Sequence, residues 1–491
     1  MGRLTARSFL PPPSTPRDLT RRYLAALGLA IVATLGAGCR SFVPLDPARF
    51  ETVAPQLGQL LLVGFRGTDV DADADLERLI CRVRVGGLLL FGRNVVERSQ
   101  VARLTARARE IARGCGAARL LIAVDAEGGQ VMRLGPAAGY TPTLSARDLG
   151  ASHDLALAEL EGLRIGEMLR SAGINWNLAP VVDVGYNPAN PVIVGYGRSF
   201  GADPRHVVAL AGAWIRGMHG SGVLTALKHF PGHGSSFTDS HHGFVDVTET
   251  ADPEVELLPY RELIAEGLAD SIMTAHVFNG RLDRRYPATL SAPTINGLLR
   301  ARLGFSGVVV SDDLRMGAIE QRYGMDRAAV LTLQAGVDVV LIADDRLPGG
   351  RSAAEVALTA MRHAVGTGHL PFDRVTEALA RVRVLKGRAE GVGAVTDDQR
   401  SRKLVTSARM GSDGWAPRRV QASAAAAFAK ASPPARDTRS ASATARAALK
   451  VSPAAVVSRA VTGKPRTWRA SPLPRQSAPA APRVTTTTPT P

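Results

Sequence analysis

Eight short apolar runs, most of them separated by amphipathic stretches, constrain the fold of this chain more than any other feature. Runs that stay apolar without alternating with polar residues are typical of parallel strands that are buried on both faces. The eight candidate strands are Leu60–Gly64, Gly87–Phe91, Leu120–Asp125, Ile174–Leu178, Val223–His229, Ser271–His276, Gly307–Asp312 and Asp338–Ala343.

Helical patterns lie between most of these strands. They include Gln100–Ala112, Asp154–Ser171, Pro204–His219, Pro253–Gly267 and Ala328–Ala335, and a last helix is predicted over Phe372–Lys386. Strands that alternate with helices predict an α/β fold, and eight such units predict a single (β/α)8 TIM barrel. Around Ile174–Val184 the pattern admits either one strand or two.

Ionisable residues follow or end five of the eight predicted strands. In a barrel the carboxyl ends of all strands open at one mouth, where the catalytic residues of such enzymes lie. The residues in question are Asp125, Lys228 with His229, His276, Asp312 and Asp344. Their convergence on one end predicts a functional site there.

The stretch 228–242 carries the densest group of titratable residues, including four of the ten histidines. Pro231, Gly232 and Gly234 interrupt regular structure directly after the fifth predicted strand. A loop is therefore expected to carry Asp239 and His241 above the barrel mouth. Two other interpretations remain open: a metal-dependent hydrolase that uses His229 and His233 with this pair, and a sugar-binding barrel without turnover.

Several motifs in this chain resemble those of bacterial β-N-acetylglucosaminidases of glycoside hydrolase family three. The main one is Lys228-His229-Phe230-Pro231-Gly232-His233-Gly234, followed at fixed spacing by Asp239-Ser240-His241. Others are Ala123–Gly129 with Arg133, Gly173–Val184, Arg198–Phe200, Met273–His276 and Ser311–Met316. The resemblance extends over roughly residues 52–390 and implies the same barrel fold.

The resemblance also implies roles for individual residues. Asp312 would be the nucleophile that forms a covalent glycosyl-enzyme, and His241 the acid/base, oriented by Asp239. The residues expected to hold the non-reducing sugar are Asp125, Arg133, Arg198, Lys228 and His229. The expected substrate is terminal β-GlcNAc on peptidoglycan fragments, with no metal and no cofactor, whereas glucosides as substrates and release to phosphate stay open.

Some residues in the motifs have alternative interpretations. Asp313 is a second candidate for the nucleophile, and His276 is expected either to bond within the barrel mouth or to contact sugar. His233 is expected to shape the loop, and Glu127 is expected either to neutralise Arg133 or to contact substrate. Ser235 departs from the aspartate that the family often has at its position.

The N-terminus is typical of an export signal. Arg21 and Arg22 precede an apolar run that ends in small residues before Cys39. This pattern predicts a signal peptide over 1–38, lipidation of Cys39 and a linker over 39–51, ahead of a catalytic domain over 52–393. The expected location is the cell envelope, held to a membrane by the lipid; an ordinary secretory signal or anchor is the alternative.

Cys81 and Cys115 each precede a predicted strand by five residues. Both cysteines would then lie at the bottom of the barrel, under neighbouring strands. Export permits a disulfide between them. Two separate buried thiols are the alternative.

The net charge of +16 belongs almost entirely to the C-terminal tail. Residues 401–491 hold 16 Lys and Arg against 2 Asp and Glu, a net of +14, which leaves +2 for residues 1–400. Rich in Ala, Pro, Ser, Thr and Arg, residues 394–491 are predicted to be disordered. The tail is interpreted either as a tether to anionic wall polymer or membrane, or as a solvated segment. No motif in it indicates a specific nucleic acid.

Overall fold

The computed structural model describes residues 46–69 and 74–391. All eight predicted strands are present there, each within or close to its expected bounds. They are β1 (Leu61–Gly64), β2 (Gly87–Leu90), β3 (Leu121–Val124), β4 (Trp176–Asn177), β5 (Leu224–Phe230), β6 (Ser271–Thr274), β7 (Val308–Val310) and β8 (Val340–Ile342).

The eight strands form one parallel sheet that closes on itself. Neighbours follow the order β7-β6-β5-β4-β3-β2-β1-β8. A parallel bridge between Val310 and Val339 then joins the two ends of this series. Every residue of these strands is buried, as expected when helices cover the outside and side chains fill the inside. The prediction of a (β/α)8 barrel is confirmed.

Helices surround the barrel. They are α1 (Pro47–Val53), α2 (Ala74–Arg78), α3 (Arg98–Gly114), α4 (Ala146–Ser152), α5 (Leu155–Ser171), α6 (Pro204–Ser221), α7 (Pro253–Glu256), α8 (Leu258–Ala265), α9 (Gly317–Ala335), α10 (Ala353–Gly366) and α11 (Phe372–Gly391). Two π-helical segments, Leu79–Val83 and Pro293–Arg302, add to the outer layer.

Three elements differ in extent from the sequence prediction. The helix expected over Pro253–Gly267 is divided at Leu257, because Pro259 has no N–H to continue the helical ladder. The helix expected from Ala328 instead begins at Gly317, with a non-helical Gly324 inside it. The segment after β4 is a separate bridge, Val181 to Lys228, so the alternative with two pieces of extended chain is correct.

The outer helices α5 and α6 pack closely through glycine. A β-carbon added to Gly162 would lie 2.0 Å from the carbonyl oxygen of Trp214. Any side chain at Gly162 would therefore push the two helices apart. Such close packing fixes the wall of the barrel that carries β4 and β5.

Cys81 and Cys115 form a disulfide, with their α-carbons 5.8 Å apart. Cys81 lies in the segment before β2, and Cys115 caps the end of α3 before β3. The bond therefore joins two elements at the amino-terminal end of the barrel, away from the mouth. The disulfide alternative is confirmed over the two separate thiols.

Several predictions concern residues outside the described ranges. These are the signal peptide over 1–38, lipidation of Cys39, and the tail over 394–491. Of the predicted linker over 39–51, residues 47–51 belong to α1, which Asp46 caps. Within 46–69 and 74–391, no helix combines the length and the apolar character needed to span a membrane.

Candidate active site

All eight residues that the sequence assigns to catalysis or sugar binding line one cavity at the barrel mouth. The cavity has a volume of about 560 Å³. Its walls include Asp125, Arg133, Arg198, Lys228, His229, Asp239, His241 and Asp312. Residues that are up to 187 positions apart in the chain therefore meet at one place, as the strand ends predict.

The barrel strands deliver four of these residues directly, and His229 lies in β5 beside Lys228. Asp125 follows β3, Lys228 lies in β5, and Asp312 comes two residues after β7. Arg133 reaches the same end by a short hairpin, Ala126–Gly128 with Val131–Met132, which brings the backbone N–H of Arg133 to the carbonyl of Asp125 at 3.2 Å. Carboxyl ends of parallel strands thus supply the floor, and loops supply the rim.

A buried network of opposite charges occupies one end of the cavity. Lys228 Nζ donates to Asp125 Oδ1 at 2.8 Å and to Glu127 Oε1 at 2.7 Å. Arg198 donates two hydrogen bonds to the carboxylate of Glu127, each of 2.8 Å. The side chains of Lys228 and Glu127 are only 2% and 5% exposed. The expectation that Glu127 neutralises Arg133 is wrong, since Arg133 lies instead 3.9 Å from Asp125.

The network keeps Glu127 and Lys228 ionised. Burial alone would raise the pKa of Glu127, but Arg198 and Lys228 outweigh burial and hold that pKa well below its ordinary value. Burial likewise opposes charge on Lys228, yet Asp125 and Glu127 raise the pKa of Lys228. Fixed charges of both signs, with geometry set by strands, are well suited to bind sugar hydroxyls, which both donate and accept hydrogen bonds.

Removing the charge of Glu127 should destabilise the fold strongly. Glu127→Gln leaves Arg198 and Lys228 buried without their shared carboxylate, a loss of about 3–5 kcal/mol of unfolding free energy. Glu320→Gln is the matched control, because its partner Arg315 lies 2.7 Å away in a more exposed pair, for which a loss below about 1 kcal/mol is expected. Urea unfolding at pH 7 measures both variants. Equal losses would show that the network adds nothing beyond an ordinary ion pair.

His229 is held in place by Asp183, a residue to which the sequence assigns no role. Asp183 Oδ2 accepts from His229 Nδ1 at 2.7 Å, and its other oxygen accepts the backbone N–H of His233 at 2.8 Å. Burial would raise the pKa of Asp183, but His229 and His233 lower it. The other ring nitrogen of His229, Nε2, lies 3.3 Å from Arg198. Asp183 therefore fixes the orientation of a ring on the cavity wall.

The loop after β5 is shaped by His233 and Gly234. His233 Nδ1 and Nε2 contact the hydroxyls of Ser236 and Ser240 at 2.7 and 3.1 Å. Burial lowers the pKa of His233 to about 4, so the ring is neutral at pH 7. A β-carbon at Gly234 would lie 2.0 Å from the carbonyl oxygen of Val184, so the turn requires glycine. These contacts support the predicted loop-shaping role of His233.

Asp239 and His241 form a dyad at the rim of the cavity. His241 Nδ1 donates to Asp239 Oδ1 at 2.6 Å, and the backbone N–H of His241 donates to the same oxygen at 2.9 Å. Burial would raise the pKa of Asp239, but these bonds lower it. The side chain of His241 is 57% exposed. The carboxylate thus fixes the ring while Nε2 is left to exchange a proton with a bound molecule.

The start of α9 anchors this loop. The backbone N–H groups of Gly317 and Ala318 donate to the carbonyls of His241 and Ser240 at 3.2 and 3.3 Å. Because α9 begins just after β7, the dyad is fixed relative to the strand that carries Asp312.

Asp312 is an ionised carboxylate on the cavity wall. Burial would raise its pKa, but His276, His229 and His241 together with the N–H of Asp313 lower it. The main contributions that lower this pKa come from the three histidines. A carboxylate that stays ionised next to a histidine dyad can attack carbon as a nucleophile.

Asp313 serves to hold the ends of two strands together. Its Oδ1 accepts the backbone N–H groups of Ala343 and Arg315 at 2.9 and 3.0 Å, which ties the end of β7 to the end of β8. Burial raises its pKa to about 6.

His276 contacts Thr289 at 2.8 Å and the carbonyl of Asp313 at 2.9 Å. Between the two alternatives for His276, the structure therefore favours bonding within the barrel mouth.

Two other sequence interpretations fit the geometry poorly. Asp344, at the end of the eighth strand, is not on the cavity wall and pairs with Arg66 at 2.5 Å. A metal centre from His229, His233, Asp239 and His241 lacks converging ligands, because both nitrogens of His233 contact serine hydroxyls. Among the side chains that the structure describes, no group of three or more His, Cys, Asp and Glu is arranged to hold a metal ion.

Glu256, at the end of α7, supports the loop from below. No feature of the sequence singles out this residue, because it lies in an ordinary helical pattern. Glu256 Oε1 accepts the backbone N–H of Ser235 at 3.0 Å, and its carboxyl group packs against Gly232. Burial raises the pKa of Glu256 to about 7, and the charge of Asp183 adds to that effect. An aspartate in place of Ser235 would bring a further carboxylate to this buried group.

Stability should fall with rising pH because of Glu256. Its folded pKa of about 7 exceeds the value of ~4.3 in an unfolded chain, so the folded protein binds more protons between these values. The contribution of Glu256 to the unfolding free energy is complete below about pH 4. It is lost progressively as the pH rises to about 7 and above. Glu256→Gln removes this dependence.

The unfolding free energy of Glu256→Gln relative to wild type should therefore increase by about 2–3 kcal/mol between pH 5 and pH 8. Urea unfolding of both proteins at the two pH values measures the change, and other titrating groups cancel in the difference. A difference that does not vary with pH would contradict this assignment.

Comparison with known proteins identifies the family of this chain. The model of the glycosyl hydrolase family 3 N-terminal domain matches residues 52–385. A β-hexosaminidase of Mycobacterium tuberculosis, LpqI, is 38% identical over 347 residues, which cover 69% of this chain and 84% of that protein. A β-hexosaminidase of Stenotrophomonas maltophilia is 36% identical over 335 residues, 64% of this chain and 93% of that one.

Among solved structures, a family 3 β-N-acetylglucosaminidase from Paenibacillus superposes with a TM-score of 0.65 at 39% identity, over 72% of this chain and 64% of that one. The family model spans the whole barrel, from before β1 to within α11. The chain therefore belongs to glycosyl hydrolase family 3 and, within it, to the bacterial β-hexosaminidase type.

Proposed function

We propose that this protein is a retaining exo-β-N-acetylglucosaminidase that removes terminal β-GlcNAc from peptidoglycan fragments in cell-wall turnover and recycling. The observation that carries the proposal is the meeting of ionised Asp312 and the Asp239–His241 dyad on one cavity. The names of the relatives support the sugar class, and the site geometry supports the mechanism.

In the first step, Asp312 attacks the anomeric carbon of the bound sugar. The bond from that carbon to the leaving oxygen breaks, and protonated His241 gives its proton to this oxygen. A covalent glycosyl-enzyme on Asp312 and a free alcohol result.

In the second step, neutral His241 takes a proton from water as the water attacks the same carbon. The bond to Asp312 breaks, which restores the carboxylate, the protonated histidine and a sugar with its original anomeric configuration. Asp239 serves both steps, because its hydrogen bond to Nδ1 fixes the orientation of the ring. Histidine suits this exchange, since its ordinary pKa lies near neutral pH.

The buried charges on the cavity wall suit removal of a terminal sugar. Lys228 and Glu127 are almost inaccessible, so a substrate chain cannot continue past them. Asp125, Arg133, Arg198, Lys228 and His229 are proposed to hold the hydroxyls and the acetamido group of the terminal residue. Because Asp312 is the nucleophile, the acetamido group is recognised and does not react.

The location and attachments of the protein are proposals from its sequence. Export and lipidation at Cys39 would place the barrel at the cell envelope, on the outer side of a membrane. The basic tail would then bind anionic wall polymer or membrane.

Release of nitrophenol from the nitrophenyl β-glycosides of GlcNAc and of glucose tests the proposed function. Turnover of the GlcNAc glycoside alone, unchanged by chelator, is the expected result. Turnover of the glucoside alone would overturn the sugar assignment, and loss with chelator would favour metal chemistry. Production of GlcNAc 1-phosphate in phosphate buffer would show phosphorolysis. A folded protein without turnover of either glycoside would favour a sugar-binding protein.

A further inference from the structure

We propose that a basic cavity at the amino-terminal end of the barrel binds the phosphate group of an anionic ligand. The cavity has a volume of about 470 Å³, and among the described residues it shares no lining residue with the cavity at the mouth. The inference does not depend on the proposed function. It follows from the number of cations in the cavity, from a partly buried guanidinium without a carboxylate partner, and from the hydrogen bonds that fix the other donors.

The starts of two barrel strands set the position of the basic cavity. Leu120 lies directly before β3 and Asn175 directly before β4, and both line the cavity. Lys386 and Ala389, near the end of α11, complete the wall. The basic cavity therefore lies at the end of the barrel opposite the mouth, so its ligand would not compete with a sugar for the catalytic residues.

Cationic side chains from four parts of the chain line the basic cavity. Two come from α3, one from the segment before β3, one from the end of α5 and one from α11. Among the lining residues that the structure describes, none is acidic. Positive charges gathered around one concave space repel one another and attract an anion from solvent. The five residues are Arg109, Arg113, Arg119, Arg170 and Lys386.

Arg109 is the cation that most needs an anion. Its side chain is partly buried, and one of its guanidinium nitrogens donates to the carbonyl oxygen of Gly173. Burial lowers the pKa of Arg109. In the described part of the chain, no carboxylate lies within 4.0 Å of Arg109 or of the neighbouring Arg113. A bound anion would offset the cost of holding this charge away from water.

Hydrogen bonds fix other donors of the basic cavity. Arg170 donates to the carbonyl oxygen of Ser221 at 3.0 Å. Lys386 Nζ donates to Gln59 Oε1 at 2.7 Å. Asn175 Oδ1 accepts a backbone N–H at 2.8 Å, which leaves the amide nitrogen of Asn175 as a further donor on the cavity wall. Because these groups are already positioned, a ligand would lose little binding free energy in ordering them.

Donors that approach from several elements suit a phosphate group better than a carboxylate. Guanidinium groups bind both anions through paired N–H bonds. A carboxylate offers two oxygens in one plane, whereas the oxygens of a phosphate group have a tetrahedral arrangement and can each accept from a different side chain. Soluble phosphate esters and the headgroups of anionic lipids both present this group.

Calorimetric titration of the full chain with inorganic phosphate at low ionic strength tests the site. Arg109→Gln and Arg113→Gln each remove one cation from the cavity, and Arg113 is exposed, so its replacement should not disturb folding. Arg103→Gln is the matched control. It removes the same charge from the same helix, but Arg103 pairs with Glu97 at 3.4 Å and does not line the cavity. Urea unfolding establishes that each variant is folded.

Wild type should bind phosphate with a Kd of about 1 mM or lower. Arg109→Gln should raise this Kd at least about tenfold and Arg113→Gln about threefold, since each loses a charge-assisted contact and Arg109 is the more buried of the two. Arg103→Gln should leave the Kd within about twofold. If Arg109→Gln does not fold, Arg113→Gln decides. No binding to wild type, or binding that is equally strong in Arg113→Gln and Arg103→Gln, would overturn the proposal.

Vesicles of phosphatidylcholine with and without phosphatidylglycerol identify the source of the phosphate group. The basic tail is present in every variant, so its contribution to vesicle binding cancels in the comparison. Weaker binding of Arg113→Gln than of Arg103→Gln to the anionic vesicles would assign a lipid headgroup, and equal binding would assign a soluble phosphate ester.

Turnover of the nitrophenyl GlcNAc glycoside separates this site from the proposed function. It should stay within about twofold of wild type in Arg113→Gln and Arg103→Gln, because the catalytic residues lie at the other end of the barrel. Phosphate binding that depends on Arg113 in a protein without turnover would retain the basic site and contradict the enzyme. Turnover without such binding would retain the enzyme and overturn the site.

Discussion

Asp312→Asn should reduce turnover of β-GlcNAc glycosides by at least about 10⁴-fold while the protein stays folded. The amide has the shape of the carboxylate but cannot attack the anomeric carbon. No neighbouring carboxylate replaces it, because Asp313 is engaged by two backbone N–H groups and has its pKa raised to about 6 by burial. The measurement is kcat for the nitrophenyl glycoside, with urea unfolding to establish that the fold persists.

Asp344→Asn provides the matched control for this variant. Asp344 also follows a barrel strand and is partly exposed, but it pairs with Arg66 and does not line the cavity. Its replacement should leave kcat within about threefold of wild type, the range expected for a surface pair. Comparable losses of activity in the two variants would mean that both substitutions act by destabilising the fold. Asp312 would then have no special role in the reaction.

His241→Gln should lower kcat/KM about 10²- to 10⁴-fold for substrates with a sugar alcohol as leaving group. Such a leaving group needs a proton as its bond breaks, and His241 is held for this purpose at 2.6 Å from Asp239. A nitrophenolate leaves without full protonation. The rate of the first step of its hydrolysis should therefore fall much less in this variant. The ratio of the two effects distinguishes an acid from a residue that only binds.

The adjacent His242 is the control for His241→Gln. It is 86% exposed, and its ring nitrogen lies 4.0 Å from Asp239. His242→Gln should retain most of the activity on both kinds of substrate, within about threefold. A loss that is the same for good and poor leaving groups in His241→Gln, or a larger loss in His242→Gln, would contradict the assignment of the acid.

Positions fixed by strand ends and the local pair of Asp239 and His241 were predictable from sequence, whereas the partner of Glu127 was not. Asp125, Lys228 and Asp312 each follow or end an apolar run, so the barrel rule alone brings them together. Glu127 stands six residues before Arg133, which suggested the wrong partner. Its actual partner Arg198 is 71 residues away, and their pairing depends on how the loop after β4 folds over the hairpin.

The roles of two supporting carboxylates could also not be predicted from the sequence. Asp183 ends an apolar run but lies just outside the regular strand, so its bond to His229 was not evident. Glu256 lies in a short helix whose pattern resembles any surface helix. It is buried only because Gly232 and Ser235 in the loop above leave room for it. In both cases burial arises from loop packing, which local sequence periodicity does not encode.

The covalent intermediate on Asp312 is the central claim, and trapping it is the most direct measurement. A 5-fluoro analogue of β-GlcNAc fluoride forms the intermediate and releases it slowly, so mass spectrometry of the digested protein can locate the label. We expect the mass of one fluorinated N-acetylhexosaminyl group on the peptide that contains Asp312. A label on another residue, or turnover of the reagent without any labelled peptide, would contradict the account.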